Sequence, residues 1–151
     1  MTLTDSSVSA ADADTIMDYT SGNVTATITS GSASTINTAL TNATATDALT
    51  ITLTDTTVAA SDLNALNGKT SVAVNASSVT TLTGTYADVN TAYLAGVSGT
   101  ISGLGNEAVT LSDTTLAASD LNALDGKTTG VINASSVTTL TGTLLLSIRL
   151  I

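Results

Sequence analysis

A mainly β repeat solenoid is the fold class this sequence predicts: parallel strands stacked in coils of about 28–30 residues, with a short helix in most coils. Three observations predict it. The chain of 151 residues repeats itself: TLTDTTVAASDLNALNGKTSVAVNASSVTTLTGT over 52–85 returns as TLSDTTLAASDLNALDGKTTGVINASSVTTLTGT over 110–143, with 7 differences. Its apolar residues are almost all Ala, Val, Leu and Ile, with no Phe or Trp and only 3 Tyr. Small aliphatics suit thin layers, because the large aromatic space-fillers of ordinary cores are missing. Its commonest polar side chains belong to Thr and Ser, and Thr favours half-buried extended backbone.

The repeat sets the expected order of elements. The offset from Asp55 to Asp113 is 58 residues, and residues 2–20 (TLTDSSVSAADADTIMDYT) align with 52–70 as a weaker copy. Residues 80–109 look like a diverged copy. The chain therefore divides into one solenoid over 1–143, with units near 2–51, 52–79, 80–109 and 110–143, and a non-repeat apolar end at 144–151. That end, Leu144 to Ile151, breaks the pattern and reads as a truncation or frameshift. Within a unit, Val109 and Leu111 alternate with Thr110 and Ser112, the pattern of a half-buried strand. Leu116 to Leu124 follows with Ala117, Ala118, Leu121 and Leu124 as a helical stripe. Thr115 or Ser119 is the expected N-cap. Gly126 is the expected left-handed residue after the last turn, with Lys127 near the negative helix end. A second extended run covers Gly130 to Val137, and the same reading fits Val58 to Lys69 and Val72 to Val79. Asn67-Gly68 and Asp125-Gly126 also match type I′ hairpin turns. The Ala- and Leu-rich segment before each favours the helix end.

Charge and composition exclude several functions. Asp plus Glu is 12 and Lys plus Arg is 3, for a net charge of -9. Such a chain repels nucleic acid and anionic membrane surfaces. A mean hydropathy of +0.39 is too apolar for intrinsic disorder. No Cys is present, so there is neither a disulfide framework nor a thiolate metal site. No signal peptide is visible at Met1 to Asp14, and 144–151 is too short to span a bilayer. With no His and no Cys, the commonest general base and the best nucleophile are missing. Lys69 and Lys127 occupy one repeat position, as catalytic residues rarely do. No enzyme, catalytic residue or cofactor-binding residue is expected.

Several motifs invite a ligand. Gly68-Lys69-Thr70 and Gly126-Lys127-Thr128 imitate the end of a phosphate loop, but they fall at a helix end, where the dipole points the wrong way. Gly103-Leu104-Gly105-Asn106-Glu107-Ala108 matches a dinucleotide fingerprint, yet a strand follows it rather than a helix. Asp55 and Asp113 end strands, and Asp62 and Asp120 follow seven residues on. Repeated carboxylates of this kind are calcium candidates, with hard oxygen ligands along one row. The simpler expectation is turn hydrogen bonds for Asp55 and Asp113, and first helical turns for Asp62 and Asp120. Thr-x-Thr-x-Thr runs at 25–29, 50–54, 81–85 and 139–143 resemble ice-binding arrays, or simply face solvent on half-buried strands. Sequons stand at Asn23, Asn42, Asn75 and Asn133. Asn75 and Asn133 share a repeat position and could stack as an internal ladder.

The 110–143 wording, with the YADVNTAYLAGVSGTISGLGNEAVTLSDTT stretch at 86–115, resembles tandem repeats of very large cyanobacterial surface or secreted proteins described as β-strand-repeat or calcium-binding-like. The resemblance covers 49–143 well and 1–48 loosely. It implies secretion or cell-surface display within a longer chain. No G-G-x-G-x-D run of the calcium-binding nonapeptide kind occurs. The apolar spacing from Leu111 to Gly126 is also faintly like a leucine-rich repeat. The expected function is a structural or adhesive segment of a bacterial surface protein. The alternative is a ligand-binding solenoid, for calcium on the Asp row or ice on the Thr rows. The expected partners are neighbouring repeats or a second copy through self-association, not nucleic acid or a membrane interior.

Overall fold

The structure, a computed structural model, describes residues 1–142. It is an α/β fold in which short parallel strands alternate with five helices. In chain order these are α1 (Ala10–Asp18), β1 (Thr25–Thr27), α2 (Ala33–Ala39), β2 (Ala48–Thr50), β3 (Thr57–Ala59), α3 (Ala60–Asn67), β4 (Val74–Asn75), β5 (Thr81–Gly84), α4 (Tyr86–Ser98), β6 (Ile101–Ser102), β7 (Ala108–Leu111), β8 (Thr115–Ala117), α5 (Ala118–Asp125), β9 (Ile132–Asn133) and β10 (Thr139–Thr141). Helices occupy more of the described chain than strands do, so "mainly β" gives way to α/β. The reason is visible in the repeat: each Ala- and Leu-rich stretch makes two full helical turns, while each Thr-rich stretch pairs over only two to four residues.

Every strand pairing is parallel, which removes the hairpin reading of Asn67-Gly68 and Asp125-Gly126. The longest sheet runs β3-β5-β7-β9, and the pairs β1-β2, β4-β6 and β8-β10 complete the set. Single bridges extend these ladders: Thr2 to Thr25, Val8 to Ile28, Gly31 to Leu53 and Thr52 to Asn75. The spacing between partners is the length of one strand–helix unit. It is 20 residues from Val8 to Ile28, 23 from Thr25 to Ala48, 24 from Thr57 to Thr81 and 27 from Thr81 to Ala108. The unit is thus shorter than the 28–30 residues expected. The stretch 2–51, read as one unit, holds two helices, α1 and α2. The helices pack in chain order, α1 on α2, α2 on α3, α3 on α4 and α4 on α5.

One apolar cluster runs between the helices and the strands. It includes Ile36 and Leu40 of α2, Leu63 and Leu66 of α3, Val89 of α4 and Leu121 and Leu124 of α5, with Leu49, Leu82 and Val109 from the strands. Leu63 and Leu121 hold matching places in α3 and α5, as the 58-residue offset requires.

The helix ends differ from expectation. Residues 115–117 are strand β8, and α5 starts at Ala118 with Ala117 as an N-cap that offers no side-chain bond. Neither Thr115 nor Ser119 caps it. Ala59 likewise precedes α3 without a side-chain bond, whereas Ser9, Ser32 and Thr85 do cap α1, α2 and α4. Gly68 and Gly126 are not left-handed: both have φ -77°. Backbone bonds from Lys69 N–H to Leu66 O and from Lys127 N–H to Leu124 O close those helices instead. The left-handed exit occurs once among the helices, at Gly99 (φ 80°) after α4. The second extended runs shrink to Val74–Asn75 and Ile132–Asn133.

Two glycines are demanded by close approach between units. At Gly103 (φ +89°) an added Cβ would sit 2.6 Å from Ser77 Cα, and at Gly130 it would sit 2.1 Å from the Glu107 carbonyl oxygen. Both obstacles are backbone, which cannot swing aside. Gly103→Ala and Gly130→Ala are therefore expected to lower stability by about 1–3 kcal/mol, the overpacking range. Gly22→Ala, where only a threonine hydroxyl lies near at 3.8 Å, should be neutral in the same denaturant melts. Leu66→Asp or Leu124→Asp should abolish cooperative melting of neighbouring units as well as their own, since both leucines are fully buried and an unpaired buried charge costs several kcal/mol.

Candidate functional site

The carboxylates that suggested calcium are engaged at helix ends. Asp55 belongs to the unit carrying α3, yet its Oδ2 accepts the N–H of Ala33, the first residue of α2, at 2.6 Å. Asp113 stands one repeat on, and its Oδ2 accepts the N–H of Tyr86, the first residue of α4, at 2.7 Å. Each carboxylate caps the helix of the unit before its own. Four N–H groups at a helix start lack intrahelical partners, and the dipole there favours an anion.

Asp62 and Asp120 lie in the first turns of α3 and α5, as the simpler reading expected. Asp62 Oδ1 accepts from Asn37 Nδ2 of α2 at 3.4 Å. Burial raises the Tyr86 phenol above its ordinary range, and the Asp120 charge facing it from α5 adds to the rise. Among the described residues no three acidic side chains converge as a metal site.

Lys69 reaches the other end of the same helix. Its Nζ donates to the carbonyl oxygens of Asn37, at 2.8 Å, and Leu40. The expectation placed this lysine at the end of its own helix, α3; it serves α2 instead. So α2 is held by an anion at its positive end, a carboxylate one turn in, and a cation at its negative end, all from the next unit.

Sequence reasoning passed over three further features. The first is the buried hydroxyl of the Gly-Lys-Thr motif. Thr70 Oγ1 donates to Leu49 O at 2.8 Å and accepts from Leu49 N at 2.9 Å and Val72 N at 3.0 Å. Thr128 Oγ1 donates to Glu107 O at 2.6 Å and accepts from Gly130 N at 2.9 Å. The motif is a polar joint between units.

The second is Asp47, which accepts the N–H groups of Val24 (2.7 Å) and Thr44 (2.9 Å) and the Thr44 hydroxyl (3.0 Å). Burial pushes its carboxyl up. The Val24 and Thr44 bonds together outweigh that and hold it below the ordinary carboxylate range.

The third is Glu107, fully buried. It accepts from the Tyr93 hydroxyl at 3.2 Å and from Gly105 N–H at 2.8 Å. Glu107 stands where the earlier repeat has Leu49, and Tyr93 holds the α4 place that Leu40 holds at the end of α2. Leu40 and Leu49 are both fully buried. A hydroxyl–carboxylate pair has replaced an apolar one. Its signal in the sequence was an acidic residue at a leucine position of the repeat.

The remaining motifs resolve locally. Asn75 and Asn133 do not form a ladder: each side-chain oxygen accepts the N–H two residues on, of Ser77 at 3.1 Å and Ser135 at 3.0 Å. Asn42 is gripped by Asp14 and Asp18 of α1. Gly103 to Ala108 is a turn leading into β7, as expected. Thr27 lies beside Thr50 on β1-β2, both exposed, whereas Thr81 and Thr83 are half-buried in a different sheet. Thr139 and Thr141 lie on β10, and Thr143 lies outside the described residues, as does the apolar end 144–151. Asp12, Asp14 and Asp18, expected as a charged cap, divide: Asp14 and Asp18 turn to the next unit, and Asp12 bonds its own cap Ser9 at 2.7 Å.

No protein-family model matches the chain, and comparison with curated proteins and with solved structures finds no significant match. No helix among the described residues is long and apolar enough to cross a membrane.

Two outcomes follow from this geometry. Asp55→Ala and Asp113→Ala should each lower stability by about 1–2 kcal/mol, as loss of a helix cap does; chemical denaturation measures it, with unchanged far-ultraviolet dichroism as the control. Tyr93 sets an alkaline limit. Its phenol is pushed up to about 12, first by burial and further by Glu107, against a smaller lowering by the Thr128 hydroxyl. The unfolded phenol ionises near pH 10 and the folded one later, so the contribution is intact below about pH 10 and lost as pH rises to about 12. Tyrosinate absorbance should show Tyr93 ionising above the free-phenol range, and Tyr93→Phe should flatten the loss of stability over that interval.

Proposed function

We propose that this chain is a repeat solenoid serving as a structural or adhesive segment of a bacterial cell-surface or secreted protein, without catalysis. Successive units pair in parallel and their helices pack in chain order. This is the pattern of a stack in which each unit covers the next. The observation that carries the reading is the shared task of Asp55 and Asp113, each tying its own unit to the helix before it. The most chemically capable side chains of the repeat, Asp55, Asp62 and Lys69, are spent on joints between units. Extracellular placement rests on the resemblance to cyanobacterial surface repeats and on the acidic surface, which keeps a long array soluble and apart from nucleic acid.

The reading against it is a calcium- or ice-binding solenoid. Thermal melts in chelator and in millimolar calcium separate the first of these. An unchanged midpoint is expected, because the candidate carboxylates already accept backbone and amide hydrogens. A midpoint that climbs with calcium establishes the ligand reading instead. Antibody labelling of intact producing cells tests placement: signal without lysis is expected, and signal only after lysis refutes display.

A further inference from the structure

The unit at the start of the chain carries the same helix-holding residues as the unit of α3, and holds no helix with them. In the second copy of the repeat, Asp55, Asp62 and Lys69 all touch α2, at its first N–H, its middle and its last carbonyls. The first copy places Asp5, Asp12 and Tyr19 at those three positions. All three are exposed, Tyr19 at 88%. Asp5 makes no side-chain bond to any described residue, and Asp12 bonds only Ser9.

The apolar residues around them tell the same story. Leu53 and Leu111 are each 1% exposed, whereas their counterpart Leu3 is half-buried. Val58 and Leu116 are buried, and their counterpart Val8 is half-buried. Ile16 is half-buried where Leu66 and Leu124 are fully buried. The backbone at Thr2 and Val8 pairs with Thr25 and Ile28 on one side, and no described strand pairs on the other.

We infer that this edge is a seat for one further strand–helix unit of the α2 and α4 kind, supplied by another stretch of repeat. The inference rests on the solenoid reading above. The partner's chemistry follows from the two internal joints. Its helix must present a free first N–H to Asp5, as Ala33 and Tyr86 do to Asp55 and Asp113. It needs an amide near its middle for Asp12, as Asn37 supplies to Asp62. It needs open carbonyls at its end for the Tyr19 hydroxyl, which replaces the Lys69 ammonium as donor. A unit of the α3 and α5 kind does not match, because Ala60 at the start of α3 is met by Gly84 rather than by a carboxylate. The seat therefore prefers an α4-type unit to the α5 unit of a second copy of this chain.

The sequence supplies the graft. Val109 leads into Thr110-Leu111-Ser112-Asp113, and Thr2-Leu3-Thr4-Asp5 has the same form, so residues 52–109 can be placed ahead of Thr2 with Val109 joined to Thr2. The extended protein is expected to melt as one cooperative unit with a higher midpoint than the parent. Asp5→Asn should leave the parent unchanged and lower the extended protein about as much as Asp55→Asn lowers the parent. Tyr19, exposed in the parent, should become protected from iodination in the extended protein. An extension that melts separately or stays unfolded, an Asp5→Asn effect equal in both proteins, or a Tyr19 that remains reactive overturns the seat. Asp55→Asn in the parent separates the causes. If it destabilises while the extension fails, the seat alone is wrong; if it is silent, the joint between units, and with it the solenoid reading, falls too.

Discussion

None of the helices and strands here is long enough to stand alone. The helices run from 7 to 13 residues and the strands from 2 to 4, while isolated helices below about 12–15 residues are marginal in water. Local propensity therefore nominates elements without stabilising them, and stability has to arise between units. That constraint explains why the polar chemistry of the repeat points backward along the chain. Asp55 and Lys69 complete a helix that is not their own, and Thr70 and Thr128 satisfy backbone groups of the preceding strand segment. A net charge of -9 is tolerable in so small a body partly because carboxylates such as Asp55, Asp113 and Asp47 are placed against N–H groups, where a negative charge is favoured.

The parts of the fold that could be read from the sequence are those that depend on one segment at a time. The leucine stripe of Leu121 and Leu124, the strand at Val109 to Leu111 and the equivalence of Asp55 with Asp113 all follow from spacing within the copy. The unit length was misjudged because residues 2–51 hold two units whose second helix has drifted. The trace of that helix was present as Asn37-Thr38-Ala39 against Asn90-Thr91-Ala92, too short to stand out. The helix starts were misplaced for a related reason. A cap supplied from 22 residues away, as Asp55 supplies α2, leaves no local signature, and the threonine nearest α5 belongs to a strand instead.

The candidate site was legible as positions but not as a task. Recurrence of Asp at 55, 62, 113 and 120 marked these residues as important to the repeat. Spacing alone does not tell whether a carboxylate meets a cation or the positive end of a helix, because both present concentrated positive charge to an oxygen. What separates them is the location of the partner, and that partner lies in the previous unit.

The exchange of Leu40 and Leu49 for Tyr93 and Glu107 has a consequence for how such an array assembles. Units that are nearly identical can dock in the wrong order while a chain is folding, and domain swapping and misassembly are the usual hazards of repeat proteins. An apolar joint accepts any neighbour of suitable size. A hydroxyl facing a carboxylate does not, since seating Tyr93 against a leucine would bury an unsatisfied polar group, and seating Glu107 against Leu40 would strand a charge. Gly130, with no room for a side chain against the Glu107 backbone, narrows the choice again. One polar joint among apolar ones thus acts as an address label, setting the order of otherwise interchangeable parts.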